Sequence, residues 1–124
     1  PTANGATAAR NTPPTSACGS VTAPATLKAM PAGIPRADAV CVARAWAGAG
    51  RAREAMAALT PLWHAGYAPA TLELAKLHDP ASHPGGVQPS PDVAKLQYRE
   101  AMETTADGTV REDARRRLEA LMRR

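Results

Sequence analysis

Residues 69–102 read PATLELAKLHDPASHPGGVQPSPDVAKLQYREAM, and this stretch decides the fold. Its ends carry apolar residues at helical spacing, and its middle carries the residues that stop helices. Leu72, Leu74, Ala75 and Leu77 give the first apolar stripe. Pro69 stands at an early position that a helix tolerates, and Pro80 ends the run. Residues 79–90 form a long loop. Ser90 is a good cap, because its hydroxyl can accept a bond from a first-turn N–H, and Pro91 suits the first helical position. Val93, Ala94, Tyr98, Ala101 and Met102 then recur at helical spacing. The stretch predicts helices over 69–78 and 91–105.

The same reading extends in both directions. Residues 36–48 form a helix with Asp38 in the first turn, where a carboxylate suits the helix dipole, and with Ala39, Val42, Ala43 and Trp46 on one face. Gly48 and Gly50 end it. Residues 51–65 carry Ala55, Met56, Leu59, Leu62 and Trp63 as one stripe, with Gly66 as the stop. Pro61 leaves two outcomes: a kinked helix, or a new short helix capped by Thr60. After a turn at Asp107-Gly108, residues 109–123 form the last helix. Thr109 as cap and Glu112 three residues later match a capping box. Val110, Ala114, Leu118 and Leu121 make its buried side.

Upstream, residues 24–30 suit a short helical turn ended by Pro31 and Gly33. Residues 1–23, rich in Thr, Ala and Pro, read as a flexible or extended arm. No segment shows strand alternation. The expected class is all-α, with an arm over 1–23 and a helical domain over 24–124.

Composition agrees with thin helical layers. Apolar residues make up 44% of the 124, aromatics only 3%, and there is no Phe. Ala supplies much of the apolar fraction, so helices must approach closely around a few large plugs. The net charge of +4 allows an acidic partner or simply a solvated basic surface. Cys18 and Cys41 show no zinc spacing; they suit a disulfide that staples the arm to the first long helix, with two reduced thiols as the alternative. A disulfide implies an oxidising compartment. With a first residue that is Pro rather than Met, this points to a processed, periplasmic or otherwise extracytoplasmic chain; a cytoplasmic location stays open. No run of 18 apolar residues spans a membrane.

The helices repeat. Val42-Ala43 before Trp46 parallels Leu74-Ala75 before His78, and Ala55, Leu59, Leu62 and Trp63 parallel Ala94, Tyr98, Ala101 and Met102. The pattern Ala70-xxx-Leu74-Ala75-xx-His78, then Gly86-Val87, then Ala94-xxx-Tyr98-Arg99-Glu100-Ala101 resembles a Sel-one-like repeat, a relative of the tetratricopeptide repeat. The preceding unit, with Trp46, Gly50, Glu54 and Ala55, is similar to a plain tetratricopeptide repeat. The resemblance covers about residues 37–124. Ala75 stands where that family has Gly, His78 where it has Tyr, and Gln97 where it has Trp. The resemblance implies tandem antiparallel hairpins in a short right-handed solenoid, and a scaffold or adaptor role without catalysis. It also implies a concave groove lined by the first helix of each pair, with Arg44, Lys76 and Arg116 on or near it. Such a basic stripe could grip an acidic peptide, a terminal carboxylate or a glycan phosphate.

Other readings are weaker. Arg111, Arg115, Arg116, Arg117, Arg123 and Arg124 form a second basic cluster, but it lacks interleaved aromatics and is diluted by Glu112, Asp113 and Glu119, which argues against nucleic acid. His64, His78 and His83 have no metal-ligand spacing. Ser82-His83 beside Asp79 is too local for a triad, and no GxSxG, HExxH or phosphate loop occurs. Neither an enzyme nor a cofactor is expected. The Ala/Arg-rich usage resembles high-GC bacterial proteins, and the leading expectation is a protein-interaction domain of a larger bacterial envelope protein. The alternatives are a cell-wall glycan or polysaccharide-binding domain, favoured if Trp63 and Tyr67 are exposed together, and a self-associating structural module.

Overall fold

The computed structural model describes residues 17–19, 21–83 and 85–123, and it is mostly helical. The first sixteen residues of the expected arm, and Arg124 of the second basic cluster, lie outside the described residues. Five helices carry the fold: α1 (Arg36–Gly48), α2 (Ala52–His64), α3 (Ala68–His78), α4 (Pro91–Thr104) and α5 (Gly108–Met122). Before them stand β1 (Ala17–Cys18), β2 (Val21–Thr22) and a 3-10 turn over Pro24–Thr26.

The helix ends follow local chemistry. Gly50 (φ 86°) and Gly66 (φ 82°) take the left-handed conformation after α1 and α2. The Arg51 N–H then reaches back to Trp46 O at 2.8 Å, and the Tyr67 N–H to Leu62 O at 2.9 Å. These are the closing bonds of a Schellman motif at both helices. Ser90 caps α4 by accepting from the Val93 N–H at 3.3 Å.

Three local expectations are corrected. Of the two outcomes open at Pro61, the new short helix is ruled out: α2 runs through Pro61 to His64, and the Thr60 hydroxyl donates to Met56 O at 2.7 Å, within the preceding turn. Helix α5 is capped by Asp107, not Thr109; Asp107 Oδ1 accepts from the Thr109 N–H at 2.8 Å. Glu112 takes no part in a capping box, because with Asp107 as cap the third helical position is Val110; Arg115 engages both Glu112 carboxylate oxygens instead. The third correction is a strand pair where no strand was expected: Cys18 faces Val21 and Ala17 faces Thr22 in an antiparallel ladder. Two-residue strands are too short to show alternation. Gly19 sits between them at φ 60°, and a Cβ there would collide with the Asp38 carboxylate.

Each helix packs on the next in sequence, and α1 also contacts α3, as α3 contacts α5. Helix α3 is central. Ala70, Leu74 and Leu77 join Val42, Ala43, Trp46, Ala55 and Leu59 in one core cluster. Leu72 and Ala75 join Ala94, Tyr98, Ala101, Ala114 and Leu118 in a second. Ala43, Ala55, Ala70, Ala75, Ala94, Ala101 and Ala114 are all completely buried, so the helices meet at small side chains. Val87 in the 79–90 loop plugs the first cluster.

The segment ahead of α1 is strapped down at several points. The sulfurs of Cys18 and Cys41 lie at disulfide distance, with Cα atoms 5.6 Å apart. The buried Trp46 indole donates to Pro24 O at 3.1 Å. Arg51 lies over the Trp46 ring, 4.6 Å from its centroid, and donates to the carbonyls of Ala25 and Leu27. Glu54 holds the other edge of that guanidinium at 2.9 and 2.7 Å.

Cross-linking residues 23 apart in sequence removes entropy from the unfolded chain. Reduction of Cys18–Cys41 is therefore expected to destabilise the protein by ~3 kcal/mol, with the helices retained. Urea unfolding followed by circular dichroism, with and without reductant, measures this; an unchanged midpoint would show that the strap is held by the Trp46 and Arg51 contacts alone.

Candidate binding groove

Helices α1, α3 and α5 present a run of alternating charges. Glu73, on the nearly buried α3, is itself buried. A buried carboxylate needs charge-assisted partners. Arg44 of α1 supplies one, with Nη2 3.3 Å from Glu73 Oε2, and Lys76 one turn on supplies another at 3.0 Å. Lys76 Nζ also lies 3.5 Å from Asp113 Oδ2 on α5. Asp113 in turn pairs with Arg116 at 3.3 Å and Arg117 at 2.8 Å.

The three residues expected in the groove, Arg44, Lys76 and Arg116, are thus linked through two carboxylates, and Arg117 joins them. The stripe is not purely basic. Four cations face two carboxylates, which leaves a local excess of positive charge. The roles differ. Arg44 and Arg116 have side chains 56% and 63% exposed, whereas that of Lys76 is 23% exposed and serves both carboxylates. Sequence reasoning missed Glu73, Asp113 and Arg117 as members of this set. Their signal was local: Glu73 stands three residues before Lys76, and Asp113 three and four before Arg116 and Arg117, the spacing of helical ion pairs.

A cleft of about 240 Å³ opens beside this network, lined by Ala47 and Gly48 at the end of α1, by Glu73 and Lys76, and by Ser82 and Arg117. Polar contacts hold the loop after α3 against it. Ser82 donates to Lys76 O at 2.9 Å, and the Ala81 N–H donates to Asp79 Oδ1 at 2.9 Å. Asp79 Oδ2 accepts from the fully buried Tyr98 hydroxyl at 2.7 Å. Burial first, and then the bond to Asp79, push the Tyr98 phenol well above its ordinary value, against the opposing charge of Arg117. Burial would raise Asp113, but the bond from Arg117 and the charge of Lys76 prevail and hold it below the usual carboxylate range.

The remaining expected groups are scattered or engaged. Asp79 accepts from Tyr98, and His83 Nδ1 lies 3.4 Å from Leu77 O. Among the described residues, no three His, Cys, Asp or Glu side chains come together as a metal cage. In the second basic cluster, Arg115 pairs with Glu112 and Glu119, and Arg111 donates to Thr105 O. Trp63 and Tyr67 are both partly exposed, and Arg36 lies over the Tyr67 ring, 4.9 Å from its centroid. No helix among the described residues is long and apolar enough to cross a membrane. Comparison with protein-family models, with curated proteins and with solved structures gave no match.

Two pH responses follow. Asp113 titrates lower in the folded chain than in the unfolded one. Its contribution to stability is present above the ordinary aspartate value of about 3.9 and is lost as pH falls through its lower folded value. Urea midpoints should therefore drop on acidification below about pH 4, and less steeply in Asp113→Asn. Tyr98 titrates higher in the folded chain. Its contribution is complete below about pH 10 and is lost as pH rises beyond that toward its folded value. Tyr98→Phe should lower stability at neutral pH by about 1.5–3 kcal/mol, the range for a hydrogen bond to a charged group, and flatten the alkaline decline. An alkaline limb as steep in Tyr98→Phe as in the native chain would assign it to another group.

Proposed function

We propose that this chain is a non-catalytic protein-interaction module of the Sel-one-like or tetratricopeptide kind, working in an extracytoplasmic compartment such as the periplasm. In this reading, the face made by α1, α3 and α5 is the groove of a short helical solenoid, and it binds an acidic peptide or an acidic protein surface. The observation that carries it is the convergence of Arg44, Lys76, Arg116 and Arg117 from three non-consecutive helices onto two carboxylates, beside an open cleft. The contacts of α1 with α3 and of α3 with α5 support a layered array, because they set alternate helices side by side. The Cys18–Cys41 pair supports an oxidising compartment.

The division of labour in the network defines the mechanism. Glu73 and Asp113 fix Lys76 and Arg117 in place, which lowers the entropy lost when a ligand arrives. Arg44 and Arg116, more than half exposed, then offer guanidinium edges to incoming carboxylates. The Arg116–Asp113 pair, open on the arginine side, is held weakly, on the order of 0–1 kcal/mol, so a ligand carboxylate can compete for Arg116, whereas Arg44 stays on the buried Glu73 and offers the rest of its fork.

The test is binding of labelled acidic peptides by fluorescence anisotropy at low and high salt. Arg44→Glu with Arg116→Glu reverses the exposed charges and leaves Lys76 and Arg117 to neutralise the two carboxylates. Affinity that falls with salt and drops at least tenfold in the double variant, about 1.4 kcal/mol or more, is expected. Equal binding by both forms would remove the groove from the proposal.

A further inference from the structure

The strap ahead of α1 has two halves that are held differently. The inner half receives hydrogen bonds from the helical body: the Trp46 indole donates to Pro24 O, and Arg51 donates to the carbonyls of Ala25, Leu27 and Lys28. Those bonds do not depend on the sulfur bridge. The outer half is the pair of two-residue strands β1 and β2. A lone two-stranded hairpin is marginal in water. This one rests on the body through the buried Cys18 and the partly buried Val21, and Gly19 lies against the Asp38 carboxylate with no side chain to anchor it. Its firm attachment is the link from Cys18 to Cys41 on α1. We infer that the Cys18–Cys41 bridge is a redox latch: a dithiol reductant opens it in the folded protein, and β1 and β2 then leave α1 while residues 24–28 and the helices keep their places.

The two sulfurs differ in access. Cys18 is 2% exposed, whereas Cys41 is partly exposed and shares the outer side of α1 with the exposed Ala37, Arg44 and Gly48. A thiolate of the reductant therefore attacks Cys41 Sγ. The S–S bond breaks, its electron pair leaves on Cys18 Sγ, and a mixed disulfide joins the reductant to Cys41. The reductant's second thiolate then attacks its own sulfur in that bond and releases Cys41. The dithiol ends as a disulfide, and the two cysteines end as thiols, each taking one of the two protons that the dithiol gave up. Burial disfavours a thiolate. Cys18 Sγ thus departs most readily as the hairpin lifts into water, which couples bond cleavage to opening.

The inner half makes the device reversible. With Pro24 pinned, the freed chain from Cys18 to Pro24 spans at most roughly 20 Å. Cys18 stays near Cys41, and an oxidant closes the latch again at high effective concentration. The latch uses no residue of the charged network, so it stands or falls apart from the groove reading.

The test compares the intact chain, oxidised and treated with dithiothreitol, by nitrogen-15 relaxation. On reduction, backbone order parameters in β1 and β2 are expected to fall from about 0.85 to below about 0.6. Residues 25–28 and the helices should stay near 0.85, with the Trp46 indole N–H signal in place. Cys18→Ser with Cys41→Ser should give the same pattern without reductant, and oxidised glutathione should restore the rigid values of the native chain. The rate of reduction, read from the mass after alkylation, is expected to stay constant as urea is raised below the unfolding transition. Strands still rigid after reduction, or mobile before it, overturn the inference. Loss of order across residues 25–28 or the helices overturns it by making the bridge a staple of the fold. A reduction rate that climbs with urea in step with global unfolding overturns it as well, because the bridge would then open only in the unfolded chain.

Discussion

Helix α3 is buried along nearly its whole circumference, and the other elements arrange themselves around that demand. With so few aromatic side chains, the chain has no bulk to fill a thick core. It compensates by setting alanine against alanine at the helix contacts and adding single large plugs, Trp46 and Leu59 on one side of α3 and Tyr98 on the other. Close approach of this kind leaves little tolerance for added volume. It also means that the two core clusters are not separate units, because one eleven-residue helix belongs to both.

The burial of α3 has an electrostatic consequence. Once Glu73 is carried inward on it, Arg44 and Lys76 must come to the carboxylate, and Lys76 then reaches across to Asp113. The charged face made by these residues is thus an outcome of how the core is packed rather than an addition to a finished surface. The same holds for the loop after α3. Asp79, at the end of that helix, is fixed by Tyr98 from α4, and this sets the wall of the cleft that Ser82 and Arg117 complete.

Much of the helical layout was legible in the sequence because the signals that mark it are local. Gly50 and Gly66 declare their stops through a backbone conformation that only glycine adopts freely. Ser90-Pro91 declares a start through one hydroxyl and one missing N–H. The misread start at Thr109 shows the limit of such signals: Asp107 and Thr109 both suit a cap, and with Asp107 taking that place Glu112 falls beyond the position a capping box needs. The sites were harder to read for a related reason. Arg44 meets Glu73 across 29 residues and Trp63 meets Glu100 across 37, and no spacing rule links residues that only the packing of helices brings together. The two-residue strands escaped notice because two residues are too few to show alternation.

The strap ahead of α1 also determines where mechanical tension enters the molecule. A pull transmitted through the residues before Cys18 would pass across the sulfur bridge directly to Cys41 in the middle of α1, and the 22 residues between the two cysteines would carry none of it. With the bridge cut, and once the Trp46 and Arg51 contacts gave way, the 17 residues ahead of α1 could pay out roughly 60 Å before the helices felt the load. The bridge therefore fixes the reach of anything joined upstream: oxidised, the helical body is held on a short, stiff tether, and reduced, it hangs on a long one.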